Sequence, residues 1–129
     1  MKVVPFLPYS EFQKLIKKSK WLFVPNISDA SPRVITESMY HNLPVLLNQN
    51  ILGGWHNLVP GVTGEFFNDE KDVGAAVQTL LDRFSEYQPR KWYRENRGRE
   101  ENSGVVLIEF LKEHYPEINN KNTKYAYMY

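Results

Sequence analysis

The sequence contains no cysteine, which excludes disulfides and thiolate metal sites and permits a reducing compartment such as the cytoplasm. It also lacks any apolar run approaching a membrane span, and its first residues carry no signal-peptide pattern. Neither sign of charge dominates: a formal net charge of +1 gives no global argument for nucleic acid or for an acidic partner. The three histidines, His41, His56 and His114, stand far apart without metal-ligand spacing, so neither metal nor cofactor is expected. No internal repeat is found. What is present is 129 residues, 42% hydrophobic and 24% charged, close to a globular average. That length suffices for one domain with a real core and falls short of two ordinary ones.

Along the chain, "VVPFLPY" suits a strand ending at a loop. "SEFQKLIKKSK" reads as an amphipathic helix with Ser10 as N-cap, Phe12, Leu15 and Ile16 on one face and Lys14, Lys17 and Lys18 on the other. Those lysines, with Lys20, suit a solvated face better than contact with anionic lipid, and membrane contact is not expected. "WLFVPN" and "LPVLLN" are continuously apolar strands flanking a helix from Pro32 to about His41, and "GEFFN" is a further short strand. "DEKDVGAAVQTLLDRF" places Val73, Val77, Leu80, Leu81 and Phe84 at helical spacing. Strands without polar alternation, interleaved with helices, predict an α/β domain with a parallel sheet, Rossmann-like and three-layered. This domain is expected over residues 1–87. Residues 88–129 are expected to form a C-terminal helical extension and tail: "SGVVLIEFLKEHYPE" reads as one amphipathic helix starting near Ser103, and "NNKNTKYAYMY" as partly extended. "RKWYRENRGR" mixes basic and aromatic residues, but Glu95, Glu100 and Glu101 interrupt it, so nucleic acid is not an expected partner.

The stretch "SDASPRVITESMYHNLPVLLN" carries the functional signal. Pro32 suits the first helical position, Ser31 before it can cap free amides, and Asn42 after it can take the left-handed conformation. The helix N-terminus falls beyond the C-terminal end of a parallel strand, where open sheets bind ligands, and its amides suit a phosphate. With proline lacking an N–H, the donors are those of Arg33, Val34 and Ile35. Glu37 stands about 7.5 Å further along the axis, a distance that suits a ribose diol. Asp29 lies on the other side of such phosphates, where a sugar would sit. Blander readings are a loop acid for Asp29, an ion pair to Arg33 for Glu37 and a flexible turn for Gly53-Gly54. Trp55 and His56 are candidates for lining a sugar pocket.

The run "SDASPRVITESMYHNLPVLLNQNILGGWHNLVPGVTGEFF" resembles the donor-binding region of GT-B glycosyltransferases, in the retaining E-x7-E group (group 1, family 4-like). Asp29, Pro32, Glu37, Met39, Leu43-Pro44-Val45, Gly53-Gly54 and Thr63-Gly64 follow in the family's order. The resemblance implies a UDP- or GDP-linked sugar as ligand, with Glu37 on the ribose hydroxyls and Asp29, in the catalytic position, on the transferred sugar. The amides of Arg33 and Val34 would hold the diphosphate, and Ser31, Gly53 and Gly54 would complete the donor site. It also implies hexosyl transfer without a metal, since the helix end and basic groups stabilise the leaving diphosphate. The chain differs from the pattern where Asp29 replaces a Glu, Asn42 a Gly, and Asn57 an acid. By this resemblance the chain is a partial C-terminal domain, expected to be inactive alone and to need an N-terminal acceptor domain or a partner chain, with a homodimer as a further possibility. The alternative is a non-catalytic nucleotide-sugar-binding or assembly module, and a third reading is a plain α/β structural domain.

Overall fold

The computed structural model describes residues 5–97 and 100–115, which fall into two compact units divided between Tyr93 and Arg94. In the first unit, α1 (Tyr9–Lys18) precedes β1 (Leu22–Val24), α2 (Arg33–Tyr40) and β2 (Val45–Asn48). A 3-10 turn (Trp55–Asn57) leads to β3 (Gly64–Phe67), then α3 (Val73–Asp82), a second 3-10 turn (Phe84–Glu86) and α4 (Pro89–Asn96), within which the first unit ends at Tyr93. The strands form one parallel sheet in the order β1-β2-β3, with Phe23 opposite Leu46 and Leu46 opposite Glu65. This is an α/β domain, Rossmann-like in class, as the non-alternating strands predicted.

The pleat divides the core in two. On one face Val24, Val45 and Leu47 pack with Ile35 and Met39 of α2 and with Ile51 and Leu58. On the other, Leu46 and Phe67 pack with Leu80 of α3 and with Tyr87. Every residue of β2 is buried, as a central parallel strand requires. Phe23 of the edge strand β1 stays 45% exposed on the second face, its ring 5.3 Å from that of Phe67.

Several boundaries differ from the expectations. Residues 5–8 form no strand, and Phe6 is fully exposed; the rest of that expected strand lies outside the described residues. α1 begins at Tyr9 with Pro8 as its N-cap, whose carbonyl accepts the amides of Glu11 and Phe12, so Ser10 lies inside the first turn and caps nothing. In α3 only Leu80 is fully buried, while Leu81 and the non-helical Phe84 are exposed. The 3-10 turn after Arg83 rotates Phe84 off the face that helical spacing assigned to it. α4 was not expected. It starts at a proline, which suits a first helical position, and buries Pro89 with Tyr93 half-buried on the core.

In the second unit, α5 spans Glu100–His114 and thus starts three residues before Ser103. Phe110 stacks on the His114 ring at 4.2 Å, while Val106 and Leu107 are exposed. The expected extended tail lies outside the described residues.

Candidate functional site

The parallel strands of this sheet send their C-terminal loops to one edge. The loop after β1 (residues 25–32) and the loop after β2 (residues 49–54) are joined there by backbone bonds. Leu52 N–H donates to the Ile27 carbonyl and Gly53 N–H to the Asp29 carbonyl, each at 3.0 Å. A side chain could not exist at this seam: a Cβ on Gly53 would lie 1.8 Å from the Ala30 oxygen. Gly54 is left-handed at φ +79°, and a Cβ there would meet the Pro32 ring at 2.7 Å. The flexible-turn reading of Gly53-Gly54 is therefore replaced by one of close backbone approach.

The loop before α2 is organised by Asp29. Its Oδ1 accepts the Ser31 amide at 2.9 Å, a local turn that commits the Ser31 backbone before the helix begins. The N-cap is Pro32, extended at φ −71° and ψ 92°, with no side-chain cap, so Ser31 does not cap the helix as expected and α2 starts one residue later. Ile35 N–H donates to the Pro32 carbonyl at 3.1 Å and is lost as a ligand donor. The amides of Arg33 and Val34 have no acceptor among the described residues, so the free donors of this helix end number two.

Glu37 is half-buried on α2, and the ion pair to Arg33 is not formed. Among the described residues its carboxylate has neither a hydrogen-bond nor an ion-pair partner. The far end of α2 is held firmly: Asn42 is left-handed at φ 61° as expected, its Oδ1 accepts the Arg90 amide at 3.2 Å, and Arg90 Nε donates to the Tyr40 carbonyl at 2.6 Å. His41 Nε2 meets Gln13 Oε1 at 2.6 Å, tying α1 to the same end.

Sequence reasoning missed an amide network on the same edge of the sheet, after β2 and β3. Asn48 Oδ1 accepts the Asn50 backbone amide at 2.9 Å. Gln49 Nε2 and Asn50 Nδ2 both donate to Asn68 Oδ1, at 3.0 and 2.9 Å. Asp72 accepts the amides of Asp69 and Asn68, bonds that hold its carboxyl below the usual carboxylate range. The only signal was compositional, in "NQN" and "NDEKD". No group of three His, Asp or Glu side chains among the described residues is arranged to hold a metal ion. No helix among them is long and apolar enough to cross a membrane.

Thr63, from the Thr-Gly pair, has a structural task. Its buried hydroxyl accepts the Val59 amide at 2.7 Å and donates to the Asn57 carbonyl at 3.1 Å, closing the turn into β3. Asn57 itself is buried beneath that turn. The structure thus gathers Asp29, Ser31, Arg33, Val34, Gly53 and Gly54 at one sheet edge, with Glu37 one turn further along α2. Compared with known proteins, the chain matches no family model, no curated protein and no solved structure.

Proposed function

We propose that this chain binds a nucleoside-diphosphate sugar at the C-terminal edge of its sheet, as the donor-binding portion of a retaining glycosyltransferase of the GT-B kind. In this reading the Arg33 and Val34 amides receive the diphosphate, where the positive end of α2 favours an anion. Glu37 accepts from the two ribose hydroxyls, and Asp29 accepts from the hydroxyls of the transferred sugar through Oδ2, its Oδ1 being engaged by Ser31. A separate acceptor domain or partner chain would present the attacking oxygen, since transfer depends on holding both reactants together.

The observation that carries the proposal is that Glu37, a half-buried residue, has a carboxylate without an intramolecular partner among the described residues, on the helix whose two free amides sit beside Asp29. A carboxylate that no other side chain engages is left available to a ligand that brings two donors. The test is calorimetric titration with UDP- and GDP-sugars. Each charge-assisted bond is worth about 1.5–3 kcal/mol, so Glu37→Ala should weaken binding at least tenfold while the fold persists. Unchanged affinity in that variant would exclude the ribose role.

A further inference from the structure

We propose that Arg90 is a positioning residue for Glu37: it closes the last turn of α2 and so fixes where the ribose-accepting carboxylate stands. This rests on the donor-binding reading above. α2 is eight residues long, about two turns, and Glu37 opens the second of them. No hydrogen bond or ion pair holds its carboxylate among the described residues. The backbone of that turn, rather than a partner of its own, therefore sets where Glu37 points.

A helix end leaves its last four carbonyls without intrahelical partners. Here all four are taken. The Glu37 and Ser38 carbonyls accept the His41 amide at 3.3 and 3.0 Å, Ser38 also accepts the Leu43 amide at 2.9 Å, and Met39 accepts the Asn42 amide at 2.9 Å. The Tyr40 carbonyl is closed from fifty positions away, by Arg90 Nε at 2.6 Å. The Arg90 backbone amide donates at 3.2 Å to Oδ1 of Asn42, the left-handed residue beyond the helix. The guanidinium carbon lies 5.8 Å from the centre of the Tyr40 ring. One residue of α4 thus makes three contacts on this helix end, with its charge at the negative pole of the helix dipole.

Short helices fray from their ends. Without the Arg90 side chain the Tyr40 carbonyl turns to water, the last turn loosens, and Glu37 loses its fixed orientation. The Arg33 and Val34 amides stand at the opposite end, where the Ile35–Pro32 bond closes the first turn. Arg90 therefore acts on the ribose half of the site and not on the diphosphate half.

The experiment is a double-mutant cycle on the full chain: Arg90→Ala, Glu37→Ala and both together, with Arg90→Lys as the conservative variant. Each is titrated with UDP and GDP after urea unfolding has shown it folded. Arg90→Ala is expected to weaken the preferred nucleotide about fivefold in the parent and less than about twofold in the Glu37→Ala background, with Arg90→Lys restoring most of the loss. Hydrogen exchange, which needs no ligand, should quicken at the His41 and Asn42 amides of Arg90→Ala and stay unchanged at Ile35. Should Arg90→Ala fail to fold, Arg90→Lys enters the same cycle with a smaller expected loss. Equal weakening in both backgrounds would make Arg90 a general support of the fold and overturn the inference. Unchanged nucleotide affinity, or unchanged exchange at His41 and Asn42, would overturn it too, and a loss on Glu37→Ala would then leave the donor-binding reading intact. A parent chain that bound neither nucleotide would overturn that reading, and this inference with it.

Discussion

Replacing Gly53 by alanine tests the seam on which the candidate site is built. The added Cβ would fall 1.8 Å from the Ala30 oxygen and 2.5 Å from its carbonyl carbon, against an ordinary contact of 3.4 Å or more. The loop after β1 must then retreat by roughly 1.5 Å, more than a close-packed backbone absorbs through bond-angle strain. The retreat breaks the Leu52–Ile27 and Gly53–Asp29 bonds. Two backbone bonds at about 0.5–1.5 kcal/mol each, with about 1–3 kcal/mol of overpacking, give a loss of about 2–6 kcal/mol. The reduced freedom of alanine in the unfolded chain returns only about 0.4–1 kcal/mol.

Gly74 provides the control. It lies within α3, and a Cβ added there would meet nothing within 4 Å, so Gly74→Ala should stabilise by about 0.5–1 kcal/mol through helix propensity alone. Urea unfolding of the three proteins measures both effects, with a common slope expected if only native-state stability changes. Hydrogen exchange at the Leu52 and Gly53 amides locates the damage. A Gly53→Ala protein as stable as the parent, with both amides still protected, would refute the reasoning about the seam.

Ser38 is fully buried, and its hydroxyl finds no partner among the described residues, so Ser38→Ala should raise stability by about 1–2 kcal/mol; a lower unfolding midpoint would show that the hydroxyl is satisfied. Asp72 has a lowered pKa, so its stabilisation is present above its ordinary value of 3.8 and is lost as pH falls below it. Asp72→Asn should therefore reduce stability at neutral pH and flatten the acid limb of a stability–pH profile. Tyr87 behaves in the opposite sense: burial, then its 2.5 Å bond to Glu65, raise the phenol pKa above its ordinary 10.0. Its stabilisation is whole below pH 10.0 and declines as pH rises above it, a decline that Tyr87→Phe should abolish in alkaline unfolding measurements.

The parallel sheet was legible because "WLFVPN" and "LPVLLN" offer no polar alternation, the pattern of strands covered on both faces, although at the sheet edge Phe23 stays partly exposed. Asn42 was legible for a local reason as well, since few residues adopt a positive φ at a helix end. The start of α2 was misread because Ser31 is a good cap in isolation, whereas in the fold the helix begins at Arg33 with Pro32 as its N-cap, which puts Ser31 one residue outside the capping position. Leu81 and Phe84 matched the helical period, but period alone does not say where a helix stops, and a 3-10 turn intervenes. α4 escaped because its charged surface hides the two positions that anchor it, Pro89 and Tyr93. The seam between Gly53 and Ala30 joins residues more than twenty positions apart, and no local pattern announces such a contact.

The residues that carry the family resemblance divide by what the fold itself asks of them. Gly53 and Gly54 are needed because no Cβ fits at their positions. Thr63 is needed to close the turn into β3, and Met39 to fill the core beneath α2. Each would be present in a protein of this architecture that bound nothing, so none of them weighs for function. Asp29 stands between the two groups, with one carboxylate oxygen engaged in the loop and the other available. Glu37 has no intramolecular hydrogen-bond or ion-pair task for its carboxylate among the described residues. The same division predicts opposite outcomes for substitution. Gly53→Ala should damage stability and binding together, whereas Glu37→Gln, which keeps shape and removes charge, should leave stability unchanged and weaken nucleotide-sugar binding alone. A Glu37→Gln protein that lost stability would mean that the carboxylate serves the fold, and the case for a ribose there would fail.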